Sequence, residues 1–210
     1  MYISIIISTI IGFLGANVLY LVNAKQNISL NNLINSGITF YGGLVSGIIV
    51  FSIYNLIRKI NLLYMLNISI PSVIITHAFG RIGCFFSGCC FGKPTNSFIG
   101  VVFPNNSIPY NFYGEYIRIV PTQLLESFYL FFLFFIILKY VKLIYRLASY
   151  FIFYGLFRFI LEYFRGDNRG ILFINILSPS QTISLILIIF GIMLSIYIKK
   201  KNLHIKEELL

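Results

Sequence analysis

Charge is scarce in this chain. Of its 210 residues, 10% are charged and six are acidic, against about 25% charged in an ordinary soluble domain, which argues against a soluble globular protein. Tryptophan is absent, so the 15 tyrosines must supply most of any aromatic belt at a membrane interface. The three cysteines, Cys84, Cys89 and Cys90, are too few for a secreted disulfide framework and leave the redox compartment open. No internal repeat stands out, and the aromatic and aliphatic run 128–138 reads as a lipid-facing helix.

Apolar sequence is what the chain has in abundance, at 58% hydrophobic residues. Hydropathy predicts an all-α polytopic membrane protein with about six spans: Tyr2–Val22, Gly37–Ile57, Leu62–Phe86, Thr122–Leu138, Leu147–Phe164 and Pro179–Ile198. Residues 1–210 are expected to form one integral membrane domain with no room for a soluble module, and 199–210 a short charged cytoplasmic tail. The third segment carries Pro71, His77 and Arg81 and ends in Gly-Cys-Cys-Phe-Gly. It is a candidate for a broken or re-entrant segment, which is tolerated at membrane depth only against protein or a polar cavity. The run from Met1 to Tyr20 has no positive residues before it and is too long for a cleaved signal, so it is expected to stay as a transmembrane helix.

The formal net charge of +10 would suggest nucleic acid in a soluble protein. Here the cations mark the ends of spans, and no nucleic-acid partner is expected. Arg58, Lys59, Lys139, Lys142, Arg146 and the 199–206 tail fall on one side, with Lys25, Lys93, Arg118, Arg165 and Arg169 on the other. The positive-inside rule then puts both termini in the cytoplasm, and any site built by the loops after the third and fifth spans opens outward.

A charge deep in a span costs about 2.5–3.5 kcal/mol on insertion scales, so each needs a partner or a task. Tyr154, Arg158 and Glu162 recur every four residues and share one helical face, as do His77 and Arg81. Gln123 and Glu126 share a face just inside a helix that Pro121 opens. Two arginines, two acids and a histidine within an apolar bundle suit an anion with an apolar tail. Gly80, Gly83, Gly88 and Gly92 leave the backbone around Arg81 bare enough for a phosphate or another helix.

Cys84, Cys89 and Cys90 with His77 invite a soft-metal or redox reading. Their spacing lacks C-x-x-C, so neither is expected; small packing residues are the plainer reading, with no metal and no cofactor. The tripeptide Arg165-Gly166-Asp167 reads as part of a tight polar turn whose cations meet lipid phosphates. His204 falls in the charged tail.

Taken in order, several segments resemble the prolipoprotein diacylglyceryl transferases of bacterial membranes. They are Phe40-Tyr-Gly-Gly-Leu44, the run from His77 to Gly92, Pro121-Thr-Gln-Leu-Leu-Glu126, Tyr154 to Glu162, Arg165-Gly-Asp167 and Ser178-Pro-Ser-Gln181. The resemblance implies an enzyme of the bacterial cytoplasmic membrane. It would move diacylglycerol from phosphatidylglycerol to the lipobox cysteine thiol of a secreted precursor and release glycerol phosphate. It implies catalytic roles for Arg81, Arg158 and Glu162; a thiol must also lose its proton to attack, and His77, the one histidine in the apolar body of the sequence, is the candidate catalytic base. Substrate contacts are implied for Tyr41, Gly88, Cys89, Gln123, Glu126, Tyr154, Arg165 and Gln181. The chain departs from the family's usual pattern in having Tyr41 in place of histidine, Cys84 in place of asparagine and Cys89 in place of an acid. It also begins one helix late, with Asn17 where arginine is common. Two other readings stay open: a related phospholipid-dependent transferase with another acceptor, and a non-catalytic protein that binds anionic lipid.

Overall fold

The computed structural model describes residues 2–35, 37, 39–167 and 177–201. His204 and Arg169 lie outside the described residues. The described residues are mostly helical, and the chain falls into two compact units, Met1–Met65 and Leu66–Leu210.

In the first unit, α1 (Tyr2–Asn23), α2 (Leu30–Asn35) and α3 (Phe40–Ile57) follow one another. Small residues let α1 and α3 approach closely, as is usual where lipid offers no hydrophobic drive for helix association. A Cβ on Gly12 would meet the Gly43 carbonyl, and one on Gly43 would meet Ala16. Thr39 hydroxyl donates to the Ala16 carbonyl at 2.9 Å, and buried Asn17 donates to the Leu33 carbonyl at 3.2 Å. The glycine pair of the Phe40–Leu44 segment is thus a packing surface. Tyr41 lies on α3, and the placement of its side chain is outside the described residues.

The second unit is built on α4 (Leu62–Phe86), α6 (Thr122–Tyr140), α7 (Arg146–Leu161) and α8 (Pro179–Lys201). Between α4 and α6 come β1 (Val101–Val102), α5 (Ile108–Tyr113) and β2 (Arg118–Ile119). Among the described residues, five helical segments are long and apolar enough to cross a membrane: Ile3–Asn23, Leu62–Phe86, Thr122–Tyr140, Leu143–Phe164 and Pro179–Lys200. The sixth expected span is the shorter apolar helix Gly42–Ile57. Contrary to expectation, α4 is not broken: it runs unbroken through Pro71, His77 and Arg81. Proline has no N–H to donate to the i−4 carbonyl within the helix. Asn67 is fully buried, and its side-chain oxygen accepts from the Leu147 N–H at 2.9 Å, one of the orphan donors in the first turn of α7.

Side-chain contacts set the helix directions. Asn67 meets Leu147 and His77 meets Tyr150, so α4 and α7 run together. Tyr129 of α6 stacks on Phe157 with centroids 3.8 Å apart, and Glu126 meets Arg158, so α6 runs the other way. Phe151 against Phe190, with Arg158 on Ser180, makes α8 antiparallel to α7. Close approach of α7 and α8 depends on Gly155 and Gly191, whose Cβ atoms would strike the Ser184 and Ala148 carbonyls. We expect Gly155→Leu to force these helices apart and cost about 1–3 kcal/mol, read as a lower melting temperature in detergent micelles. The run 128–138 faces outward on one side only: Phe128, Phe132 and Phe135 are exposed, while Leu130, Leu133 and Ile137 are buried.

Residues 87–121 were expected to be loop. They form a folded cap with its own core of Phe91, Phe103 and Ile119, and β1 pairs antiparallel with β2. The strand-like segment 91–95 lies between two others: Gly92 N–H donates to the Val120 carbonyl at 3.1 Å, and Lys93 N–H to the Phe164 carbonyl at 2.8 Å. No side chain fits at Gly92, where a Cβ would collide with the Val120 and Phe164 carbonyls.

Candidate functional site

Glu126 is the hub. It projects from the first turns of α6 and is 1% exposed. Arg81 Nε of α4 lies 3.1 Å from its Oε1, and Arg158 Nη1 of α7 lies 3.8 Å from its Oε2. The Tyr154 hydroxyl donates to Oε1 at 2.8 Å. A buried carboxylate is stable only when paired and hydrogen-bonded, and this one neutralises arginines from two helices.

Arg158 has a second acid, the expected i,i+4 partner: its Nη2 donates to Glu162 Oε2 at 2.8 Å and to Ser180 Oγ at 3.0 Å. Tyr154 shares the helical face of Arg158, yet its hydroxyl goes to Glu126 rather than toward that arginine. Buried Arg158 Nη1 has no hydrogen-bond partner, and neither has buried Gln123 Oε1. The contacts of Arg81 to Glu126 and His77 both use Nε, and its side chain is 19% exposed. Buried groups left unmatched, as Arg158 Nη1 and Gln123 Oε1 are among the described residues, call for a ligand or water.

His77 does not stand as a poised base. Its Nε2 accepts from Arg81 Nε at 3.3 Å, and Nδ1 lies 3.1 Å from the Tyr150 hydroxyl. With Nε2 accepting, the neutral ring carries its proton on Nδ1 and has no lone pair left for a substrate proton. Tyr150 escaped the sequence reading although it extends the four-residue series of Tyr154, Arg158 and Glu162 by one step.

Gln181 also turns out differently. Ser178 Oγ accepts from the Gln181 N–H at 3.2 Å, and Gln181 Oε1 accepts from the Ser178 N–H at 3.1 Å. This is a reciprocal capping box with proline at the first helical position. The Ser-Pro-Ser-Gln run carries that signal openly. Ser178 Oγ in turn donates to Glu162 Oε1 at 2.9 Å, so the cap also holds the acid that holds Arg158. Ser178→Ala is expected to cost about 1–2 kcal/mol of stability, measurable by thermal unfolding in detergent.

Arg165 is buried rather than set in an exposed turn. Its guanidinium forks onto Asp167 at 2.8 and 2.7 Å, and Arg165 bridges antiparallel to Gly92. Burial works against its charge, but the Asp167 hydrogen bonds outweigh this and move its pKa up. The Nε and Nη2 edge of the guanidinium is thus taken by Asp167.

Gly88 is a helix stop. With φ +66 it occupies the left-handed position after α4, its N–H donating to Phe85 and the Cys89 N–H to Cys84, at 3.0 and 3.2 Å. That pair of bonds is a Schellman motif, which folds the residue after the glycine back over the last helical turn. Gln123 Nε2 donates to the Cys89 carbonyl at 2.6 Å and Thr122 Oγ1 to that of Cys90 at 2.8 Å, pinning the turn to α6. The expected contacts of Gln123 and Cys89 are therefore with each other. Burial and the neighbouring Cys90 push the Cys89 thiol up from its ordinary pKa. Gly80 and Gly83 do face open space, as the bare backbone around Arg81 led one to expect.

An apolar groove of about 490 Å³ is lined by Leu125, Phe128 and Tyr129 of α6 and by Phe157, Ile160 and Phe164 among others.

A family sequence model described as prolipoprotein diacylglyceryl transferase matches residues 1–197. The chain is 39% identical over 195 residues to a phosphatidylglycerol--prolipoprotein diacylglyceryl transferase of Clostridium tetani, covering 89% of this chain and 76% of that protein. It is 32% identical over 198 residues to a second such enzyme of Clostridium perfringens, with coverage of 90% and 75%. Over 206 residues it is 32% identical to one from Streptococcus agalactiae, with coverage of 93% and 77%.

Proposed function

Because this chain belongs to the prolipoprotein diacylglyceryl transferase family, we propose that Arg81 and Arg158 grip the phosphate of phosphatidylglycerol while its diacylglyceryl group passes to a lipobox cysteine. The protein is a membrane transferase of lipoprotein biogenesis, acting on phosphatidylglycerol and a prolipoprotein. The observation that carries the site assignment is the unmatched buried Nη1 of Arg158, beside an Arg81 held on the same Glu126 carboxylate through its Nε alone. A phosphate diester has the acceptors and the charge they need.

In the reaction the acceptor sulfur attacks the glyceryl carbon. The carbon–oxygen bond breaks, and its electron pair leaves on the phosphate oxygen as glycerol phosphate. Charge therefore grows on the phosphate, where two preorganised arginines stabilise it more in the transition state than in the bound lipid. Glu126 holds both arginines. Glu162 and Ser180 hold Arg158, while His77, Tyr150 and Tyr154 set the approach of Arg81 and Glu126. Gln123 Oε1 is free to accept from a headgroup hydroxyl, and the apolar groove along Phe128 and Phe157 suits an acyl chain. Cys89, Gly88, Arg165 and Gln181 support the site's frame, and Tyr41 remains a candidate substrate contact.

In the second unit, Lys139, Lys142, Arg146 and Lys199–Lys201 cluster at the helix ends away from the site. This supports a site that opens to the outer side of the bacterial cytoplasmic membrane, with the C-terminus inside, in one integral membrane domain.

The test uses membranes holding the protein, phosphatidylglycerol labelled in its acyl chains and a lipobox peptide, beside a Cys→Ser peptide and the Arg158→Ala protein. Label should reach the cysteine peptide alone, and only with Arg158 present. Undiminished labelling by the variant would remove Arg158 from the site.

A further inference from the structure

The last turn of α4 brings three thiols together. The Sγ atoms of Cys84, Cys89 and Cys90 lie within 4.8 Å of one another, and none is in a disulfide. Local backbone chemistry causes this. The Schellman motif at Gly88 hydrogen-bonds Cys89 back to Cys84, where such motifs ordinarily place an apolar contact. Cys90 takes a positive φ of 61, an uncommon conformation for a residue other than glycine. Thr122 and Gln123 clamp the carbonyls of Cys90 and Cys89. Spacing by itself argued against a metal because C-x-x-C is missing, but a helix stop followed by a clamped left-handed residue achieves the same convergence.

We propose that Cys84, Cys89 and Cys90 form a three-thiolate site for one soft divalent cation such as zinc, whose open fourth position takes the acceptor thiol as thiolate. A tetrahedral ion with metal–sulfur bonds of about 2.3 Å holds its sulfurs about 3.8 Å apart, so sub-ångström shifts close the site. Three protein ligands with one position open is the pattern of catalytic zinc, whereas structural sites are closed by four. All three cysteines are half-buried, so the cluster is neither sealed nor on the surface. The ion with three thiolates carries one negative charge, and the fields of Arg81 and Arg165 reach these sulfurs. Arg81 stands one turn before Cys84 on α4, so a thiol held by the ion lies beside the headgroup held by that arginine.

The inference rests on the transferase reading, and it meets a need that reading leaves. A thiol must lose its proton to attack, and the accepting nitrogen of His77 is engaged by Arg81. A thiol that coordinates a metal is deprotonated outright. Its proton passes to solvent, the thiolate forms the carbon–sulfur bond, and the glyceryl–oxygen bond breaks to release glycerol phosphate. No oxidation occurs.

The experiment is metal analysis of the purified full-length protein, with Cys84→Ser and Cys89→Ser beside it, followed by cobalt substitution. The expected result is about one zinc per chain, with affinity about tenfold or more weaker in each variant, and a thiolate-to-cobalt charge-transfer band. A lipobox cysteine peptide should shift that band and a serine peptide should leave it unmoved. A protein that transfers diacylglyceryl but binds neither zinc nor cobalt at these sulfurs overturns the metal site and leaves the transferase reading standing. So does finding two of the three joined in a disulfide in the active protein. Metal bound with a cobalt band that the cysteine peptide does not move overturns the acceptor role. Metal bound and shifted by the peptide, with no lipid transferred, overturns the transferase reading instead.

Discussion

Diacylglyceryl transfer is expected to fall about a hundredfold in the Arg81→Lys variant, equivalent to about 2.7 kcal/mol of transition-state stabilisation, although the positive charge is kept. Arg81 is given two tasks at once: its Nε meets Glu126 and His77, while its Nη groups are left for phosphate, the side chain being 19% exposed. Lysine has a single compact ammonium and cannot keep the inner contacts while presenting a fork to phosphate. Because charge grows on the leaving phosphate, the loss should fall mainly on kcat rather than on KM for phosphatidylglycerol. The check is initial-rate kinetics in mixed micelles across a range of lipid concentration. A raised KM with kcat unchanged would restrict Arg81 to ground-state binding, and wild-type kinetics would take it out of the site altogether.

Replacing Glu126 is expected to be the other severe change, and in two separable ways. Glu126→Leu leaves Arg81 and Arg158 facing each other with no shared counter-charge. Breaking a buried ion pair from one side costs about 3–5 kcal/mol, so this variant should insert poorly or be degraded. Glu126→Gln is the informative variant. Its carbonyl still accepts from Tyr154, so the helices stay joined, but it no longer neutralises two guanidiniums. Folded protein with transfer reduced about a hundredfold or more is the expected outcome, read by labelled-lipid transfer normalised to protein that runs as one peak on size exclusion. Full activity in Glu126→Gln would mean that the carboxylate only balances charge and that the arginines find their positions without it.

These two residues also separate what was legible from what was not. The i,i+4 series on α7 and the His77–Arg81 pair could be read directly, because helical periodicity is a local property. That Glu126 serves Arg81 and Arg158 together could not. It depends on the depth and rotation of α6 relative to α4 and α7, and hydropathy constrains neither. The same limit explains Gln181 and Gly88. Both were assigned to substrate because they fall in matching segments, while their hydrogen bonds make them helix caps, a role whose local signatures, Ser-Pro-Ser-Gln and a glycine after an apolar helix, were available.

By itself the sequence determined the membrane class and most of the helix boundaries. It also marked which helical faces carry charge, since the bilayer penalises every unsatisfied polar group along the chain. Tertiary structure decided the rest: which acid neutralises which arginine, that residues 87–121 fold over a core of their own, that Arg165 spends its fork on Asp167, and that three thiols converge. Those outcomes hang on contacts between groups far apart in sequence, such as Tyr154 with Glu126, or on one backbone reversal at Gly88. The energy that selects them is packing between whole helices, which no local window of residues contains.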